Sequence, residues 1–390
     1  MRYFSKILLP FGLASLCLAI AHPAAAQVSH DHLMYIGTLD KKLLVMDEQK
    51  DEVVGEIPLE GVPRATALSA DQKQLYIINT KMTIEVVDLA ARKEISSFSL
   101  SDGRSKPRMA AGTVARGVLS GRFSGLAVDP NGRYLYATMK SVVKDIDEYR
   151  IGAPKFVVID LQDKTIAKTF DFPAEFDQGF GFMATYKVSP DGKLLYVFDD
   201  DILIFDLATF KEVGRIPLAQ PPYPGASPYR LTVSEDPYDD PSKVTNVFTS
   251  VDPIVHKGTL GLATINLLTR DVKYEPIGPS LPMLGFMLSP DRRLGYSVMF
   301  TSAGGNRQCE WWVWDIARHQ VIKKAEFESR PTFKFGESSD GKQLFLYGAG
   351  STFESFDAET LKSRKLVYLN KDTTTNLITI AEHPALLSAR

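Results

Sequence analysis

Seven copies of one strand pattern predict an all-β protein, a seven-bladed β-propeller with four antiparallel strands per blade and a ring closed by strands from both termini. Three observations support this prediction. A strand that ends in Asp or Asn recurs seven times, a hairpin signature precedes most copies, and the C-terminus offers one strand that the first copy lacks.

The recurring strand is an alternating apolar run that ends in Asp or Asn and leads through a polar turn into another strand. The copies are LLVMDEQKDEVVGEI (43–57), IEVVDLAARKEISSF (84–98), FVVIDLQDKTIAKTF (156–170), ILIFDLATFKEVGRI (202–216), LATINLLTRDVKYEP (262–276), WWVWDIARHQVIKKA (311–325) and FESFDAETLKSRKLV (353–367). Asx side chains accept hydrogen bonds from backbone N–H groups just downstream. We therefore predict a turn role, and no catalytic role, for Asp47, Asp88, Asp160, Asp206, Asn266, Asp315 and Asp357.

A hairpin signature of the type VSPDGKLLYV (188–197) precedes most of these copies. Pro-Asp-Gly chemistry closes a hairpin between two apolar runs, so each signature contributes two further strands. The related segments are LSADQKQLYI (68–77), VDPNGRYLYA (128–137), LSPDRRLGYS (288–297) and ESSDGKQLFL (337–346). Together the two elements give four strands per unit.

The two ends of the chain complement each other. The first copy has only three strands, at 33–37, 43–47 and 52–59, whereas TNLITIAE (375–382) is left over at the C-terminus. If this segment is the innermost strand of the first blade, the ring has no open edge. We therefore expect residues 27–390 to form a single propeller domain.

The N-terminus is predicted to be a signal peptide, residues 1–26. Arg2 and Lys6 precede an apolar run at 7–20, and AHPAAAQ follows with small residues around a cleavage site after Ala26. The run is short for a membrane span and contains a proline and a glycine, which argues against a retained anchor. We expect export to a bacterial periplasm.

The alternative is a lipoprotein that is lipidated at Cys17, although Leu16 is large for the position before a lipidated cysteine. Cleavage after Ala26 would leave Cys309 as the one cysteine of the mature chain. Because Cys309 adjoins the apolar strand WWVW (311–314), we expect its thiol to be buried. The formal net charge of −2 indicates no general attraction to nucleic acid or anionic lipid.

Long insertions are predicted to gather on one face of the ring. With strands A to D numbered outward within a blade, the D–A and B–C loops emerge on the same face. The segments concerned are 101–121, 139–155, 221–228, 249–259 and 301–310. Long connections are usually functional, which favours a partner-binding face; sequence drift in tolerant loops is the alternative.

Residues 101–121 are rich in Arg and Lys, which favours a surface that docks an acidic partner; ordinary solvent-exposed charge in a loop is the alternative. The SEDPYDDPSK segment (234–243) lies on the opposite face as an A–B loop. The residues that we expect to contact a partner on the insertion-bearing face are Arg108, Arg116, Asp145, Tyr149, Asp252 and His256.

The sequence predicts no catalytic residue and no metal site. His30, Asp31 and His32 are too few and too close to the mature terminus for a convincing metal site, and Asp199 to Asp201 are expected to form a hairpin turn between strands. No nucleophile elbow, zinc-protease or phosphate-loop motif occurs, nor any C-x-x-C-H for covalent haem. The three tryptophans at 311, 312 and 314 are expected to pack between blades.

SPDGKLLYV and the related segments resemble β-propeller proteins with YVTN-type repeats. The extended hairpin VVKDIDEYRIGAPKFVVIDL (142–161), the run FTSVDPIVHKGTLGLATINLLTRDV (248–272) and the closing SFDAETLKSRK (355–365) resemble more narrowly the β subunit of quinohemoprotein amine dehydrogenase. This narrower resemblance covers most of the mature chain through its layout and loop lengths.

The resemblance implies a periplasmic propeller subunit that has no redox cofactor of its own. A small subunit with cysteine tryptophylquinone would oxidise a small amine, a dihaem subunit with c-type haem would carry electrons away, and the propeller would serve as platform and wall the substrate pocket. Two other functions remain open on sequence grounds. One is a stand-alone lactonase-like, metal-dependent hydrolase; the other is a non-catalytic binding or assembly propeller.

Overall fold

The computed structural model describes residues 32–81, 83–99, 124–144, 149–176, 184–218, 230–232, 242–279, 283–303, 306–328, 333–348 and 350–380. Within these residues, 28 strands form seven four-stranded antiparallel sheets. The fold is a seven-bladed β-propeller. A short 3₁₀ turn at Ala174–Phe176 is the one helical element of the described chain, and none of its helices is long and apolar enough to cross a bilayer.

The first three strands belong to blade one: β1 (Leu33–Thr38), β2 (Lys42–Asp47) and β3 (Glu52–Pro58). Six blades of four consecutive strands follow. These strands are β4 (Pro63–Leu68), β5 (Gln74–Asn79), β6 (Thr83–Asp88), β7 (Lys93–Ser99), β8 (Ser124–Val128), β9 (Tyr134–Lys144), β10 (Tyr149–Asp160), β11 (Thr165–Asp171), β12 (Thr185–Val188), β13 (Leu194–Phe198), β14 (Ile202–Asp206), β15 (Glu212–Ile216), β16 (Arg230–Thr232), β17 (Lys243–Val251), β18 (Gly258–Asn266), β19 (Val272–Pro279), β20 (Met283–Leu288), β21 (Leu294–Ala303), β22 (Asn306–Asp315), β23 (Gln320–Phe327), β24 (Phe333–Glu337), β25 (Gln343–Gly348), β26 (Thr352–Asp357) and β27 (Ser363–Tyr368). The last strand is β28 (Ile378–Thr379).

The turns between the third and fourth strands confirm the predicted role of the Asx residues. In all seven blades a side-chain oxygen of this residue accepts a hydrogen bond from a backbone N–H two or three positions downstream, at 2.6–3.0 Å. These contacts replace backbone bonds that the turn itself cannot make. The Asx residues therefore hold the turn between the third and fourth strands of each blade.

The turns between the first and second strands use a second repeated device. In four blades a serine hydroxyl donates to the aspartate two residues later at 2.6–2.7 Å and accepts the N–H five residues on at 2.9–3.0 Å; the serines are Ser69, Ser189, Ser289 and Ser338. Asp129 accepts the corresponding N–H, that of Tyr134, in blade three at 2.7 Å. The recurring S-x-D of the hairpin signatures thus stabilises the turn between the first and second strands.

The tryptophan strand packs against both neighbouring blades. Trp311 is fully buried and its ring lies 5.6 Å from that of Phe335 and 5.8 Å from that of Phe356, both in blade seven. Trp314 belongs to an apolar cluster that includes residues of blade five, and its indole N–H donates to Ser297 Oγ at 2.9 Å. Cys309 is also fully buried, in the cluster of Trp311. The predicted packing roles are confirmed.

Ring closure occurs as the sequence predicts. β28 pairs antiparallel with β1 through Met34 with Thr379 and Tyr35 with Ile378, which makes it the innermost strand of blade one. The Thr375 hydroxyl accepts the N–H of Gly37 at 2.8 Å. A Cβ at Gly37 would lie 2.5 Å from Pro63 Cγ, so only glycine fits this close approach.

Two buried carboxylates from the blade-one turn join it to blade seven. Glu48 accepts the N–H of Ser339 at 2.9 Å, and Asp51 accepts the hydroxyl of Ser355 at 2.7 Å. The guanidinium of Arg364 lies 3.8 Å from the same Asp51 oxygen, but the second oxygen of Asp51 is buried without a hydrogen bond. Burial raises the pKa of Asp51, and these partners offset that effect only in part.

Substitution Asp51→Asn is expected to stabilise the protein by about 1 kcal/mol at neutral pH, since it removes an incompletely paired buried charge. Asn also tolerates the positive φ of 54° at this position. Because the folded-state pKa is raised, the contribution of Asp51 to the free energy of unfolding falls as pH rises above about 4. The advantage of the variant should therefore grow with pH in urea unfolding.

Asp357→Asn is the matched control for this pH series. Hydrogen bonds from Thr360 lower the pKa of Asp357, so its stabilising contribution is present at neutral pH and is lost as the pH falls. The control variant should lose stability relative to the wild type as the pH rises. A pH-independent difference for Asp51→Asn would contradict the proposed burial of an ionised Asp51.

Candidate functional site

Three central hairpins project beyond the body of the propeller. In every blade the first residue of the second strand pairs with the Asx residue that ends the third strand. Examples are Leu294 with Asp315 and Leu194 with Asp206. In blades three, five and six the two strands are 9 to 12 residues long, against 5 or 6 in the other four. The extra length therefore extends from the opposite end, on the face of the D–A connections.

We call the projecting ends of β9–β10, β17–β18 and β21–β22 the hairpin face. The expectation that 139–155 and 301–310 are loops is wrong for most of their residues, because the strands continue to Lys144 and Ala303 and resume at Tyr149 and Asn306. In 249–259 the strands end at Val251 and resume at Gly258, so residues 252–257 form the connection. Backbone pairing across each hairpin satisfies the N–H and C=O groups that a loop would expose to water. The described parts of these projections therefore extend the sheets of blades three, five and six.

The tip of the blade-five hairpin is a turn held by Asp252. One oxygen of Asp252 accepts the N–H groups of Ile254 at 2.8 Å and Val255 at 3.1 Å, and the Asp252 N–H donates to the Lys257 carbonyl at 2.9 Å. These backbone hydrogen bonds, and to a smaller extent His256, lower the pKa of Asp252. His256 itself adopts a positive φ of 51°. The carboxylate is consequently a structural element of the turn.

This turn presents two apolar side chains to solvent. Ile254 is 81% exposed and Val255 is 66% exposed. Ile151, near the tip of the blade-three hairpin, is 69% exposed. These residues were not among those predicted from the sequence. The apolar pair Ile254 and Val255 within the polar turn DPIVHKG could have indicated them, because side chains in such a turn cannot be buried in the core.

The structure describes three of the six residues predicted from the sequence to contact a partner. Asp252 and His256 lie together in the blade-five turn, and Tyr149 begins β10, where it pairs with Lys144. Arg108, Arg116 and Asp145 lie outside the described residues. The structure therefore brings two of the six together.

The other candidate groups have structural partners. His32 Nδ1 lies 3.2 Å from the buried Glu48 carboxylate, whereas His30 and Asp31 lie outside the described residues. Asp199 to Asp201 form the predicted turn between β13 and β14, where the Asp199 N–H donates to the Asp201 carbonyl at 3.0 Å. The Asp201 carboxylate accepts a hydrogen bond from the N–H of Leu218, beyond β15, at 2.8 Å. Among the described residues no group of three or more His, Cys, Asp or Glu side chains is arranged to hold a metal ion.

Comparison with known proteins finds similarity at the level of structure. A functionally unknown protein from Desulfotomaculum acetoxidans DSM 771 superposes with a TM-score of 0.52 and 9% identity, over 89% of this chain and 98% of that one. Two further structures score lower. Dihydro-heme d1 dehydrogenase NirN in complex with DHE has a TM-score of 0.48, 14% identity and coverage of 94% and 78%. Kuenenia stuttgartiensis hydrazine synthase has a TM-score of 0.44, 14% identity and coverage of 89% and 99%.

The likeness is one of fold. No family model matches the chain, and no curated protein matches it. At 9% identity the first structure supports the propeller architecture alone, and the two with TM-scores below 0.5 add no argument about activity.

Proposed function

We propose that this chain is the non-redox, β-like propeller subunit of a periplasmic complex of the quinohemoprotein amine dehydrogenase type. In this proposal the hairpin face docks a small quinone-bearing subunit and walls the pocket for a small amine. The observation that carries the proposal is the concentration of three projecting hairpins on one face, with a rigid apolar turn at the tip of one of them.

The geometry of the tip suits protein docking. Apolar side chains at the centre of an interface contribute most of the binding free energy. Because Asp252 fixes the backbone beneath Ile254 and Val255, little conformational entropy would be lost when a partner covers them. The sequence resemblance supports the choice of partner, since the propeller subunits of that family act beside quinone and haem subunits.

The redox chemistry is assigned to the partner chains. Cysteine tryptophylquinone in the small subunit would oxidise the amine, and a dihaem cytochrome subunit with c-type haem would accept the electrons. The propeller contributes position and shape, and its Asx and Ser-Asp turns fix the ends of the blades opposite the hairpin face.

Replacement of both Ile254 and Val255 by Asp is expected to weaken partner capture by more than about tenfold, because two charges would be desolvated at the interface. The measurement is an affinity pull-down of the tagged protein from its native periplasm, followed by haem staining, quinone staining and mass spectrometry. Ile322→Asp on the outer strand β23 is the matched control, since Ile322 is 48% exposed and far from the hairpin tips in its blade.

Each outcome of this experiment bears on the proposal. Co-purification of haem and quinone chains with the wild type and the control, but not with the double variant, would support it. A colourless propeller recovered alone would overturn the redox assignment. In that case metal content and lactonase activity of the purified protein would separate the hydrolase alternative from a non-catalytic binding propeller.

A further inference from the structure

The innermost strands of the propeller carry an excess of basic residues. Arg64 lies on β4, Lys187 on β12 and Lys334 on β24, and Arg230 begins β16. The one acidic residue on the described innermost strands is Glu337, at the last position of β24. The strands that surround the central channel therefore contribute a positive charge that the overall net charge of −2 does not reveal.

Arg64 and Lys334 are exposed to the channel or its mouth. Both faces of a blade pack on neighbouring blades, so an innermost strand meets water only along the channel. On β4, Arg64 is exposed between buried Pro63 and Ala67; on β24, Lys334 is exposed between buried Phe333 and Glu337. Each basic residue is second in its strand, which places both at the end of the channel on the hairpin face.

Ring closure places two of these basic residues on either side of blade one. Arg64 in blade two and Lys334 in blade seven flank blade one, whose innermost strand Ile378–Thr379 is uncharged. Lys187, in blade four, lies across the channel and is half-buried. Neither Arg64 nor Lys334 forms an ion pair with any carboxylate that the structure describes.

The surroundings of Lys334 indicate that no nearby acid neutralises it. Although Lys334 reaches water, the surrounding protein desolvates its ammonium and lowers its pKa, and no carboxylate opposes this effect. Positive charges in a narrow, protein-lined opening focus the field and attract small anions. The free edge of each innermost strand adds unpaired backbone N–H groups that can donate to an anion.

We propose that the channel mouth on the hairpin face binds a small oxyanion of at least two negative charges, of the phosphate or dicarboxylate class. Arg64 would bind it through its planar guanidinium, and Lys334 would supply a point charge. Lys187 is the third residue of its strand, in blade four across the channel, and lies further from the hairpin face. Neither Arg64 nor Lys334 belongs to the projecting hairpins, so anion binding can be tested on this chain without a partner.

Calorimetric titration of the mature protein with inorganic phosphate and, separately, with succinate tests this site. One saturable site for either anion is expected, and which anion binds identifies the ligand class. Lys334→Gln and Arg64→Gln should each weaken binding by about tenfold, the loss expected for one charge-assisted contact. Lys168→Gln removes the same charge from an exposed position on the outer strand β11 and should leave the affinity unchanged.

Lys334→Arg keeps the charge and should retain most of the affinity, which separates loss of charge from loss of folding. As a second readout, the anion should raise the pKa of Lys334 when its ammonium is followed by NMR. No saturable binding of either anion would overturn the proposal. An equal loss of affinity in Lys168→Gln would also overturn it, because the effect would then arise from net charge alone.

Discussion

Removal of residues 373–390 is expected to abolish cooperative folding of the propeller. The deletion takes away β28 and the apolar contacts of Leu377, Ile378 and Ile380 with blades one, two and seven. Three such side chains stabilise the folded state by roughly 5 kcal/mol together, a large part of the 5–15 kcal/mol that is typical of a domain. The deletion also leaves β1 with a free inner edge, which invites aggregation.

Urea unfolding followed by tryptophan fluorescence measures the loss, and size-exclusion chromatography reports aggregation. Deletion of residues 381–390 alone is the matched control, since it leaves β28 and every contact described for residues 373–380 in place. If both truncations unfold at the same urea concentration, the closing strand does not stabilise the ring and this explanation fails.

Much of the fold could be predicted from the sequence because its determinants are local. The Asx turns, the Pro-Asp-Gly hairpins and the alternation of apolar residues each act within about ten residues of chain. The closing strand could be found by subtraction, since blade one is one strand short and TNLITIAE has no other partner. Burial of Cys309 and Trp311 followed from their place in an apolar strand that is covered on both faces.

The candidate sites were harder to predict because their determinants are not local. The projecting strands around Val251 and Asn306 lack clear alternation, and only pairing with the opposite strand keeps them extended. Arg64 and Lys334 come from blades at opposite ends of the chain, and only ring closure places them on either side of blade one. Neither arrangement has a motif at fixed spacing.

The substitution Trp311→Ala is expected to destabilise the protein by about 3–5 kcal/mol, the range for removal of a fully buried aromatic side chain. Trp311 contacts Phe327 in its own blade and Phe335 and Phe356 in blade seven, so the cavity would lie at a blade interface. Because the rings around it belong to two sheets, neither sheet can close the cavity without moving against the other.

Trp312→Ala is the control, because it removes a tryptophan side chain without removing the buried packing between blades six and seven. Trp312 is only partly buried on the other face of the same strand, where the Lys324 ammonium lies 3.6 Å from its ring centroid, and its loss should cost about 1 kcal/mol. Cys309 gives a second readout, since its buried thiol shares the cluster of Trp311 and should react faster with a thiol reagent only in Trp311→Ala. Equal stability of the two variants would show that the interface between blades six and seven relaxes around the cavity, which would contradict the close packing inferred for this interface.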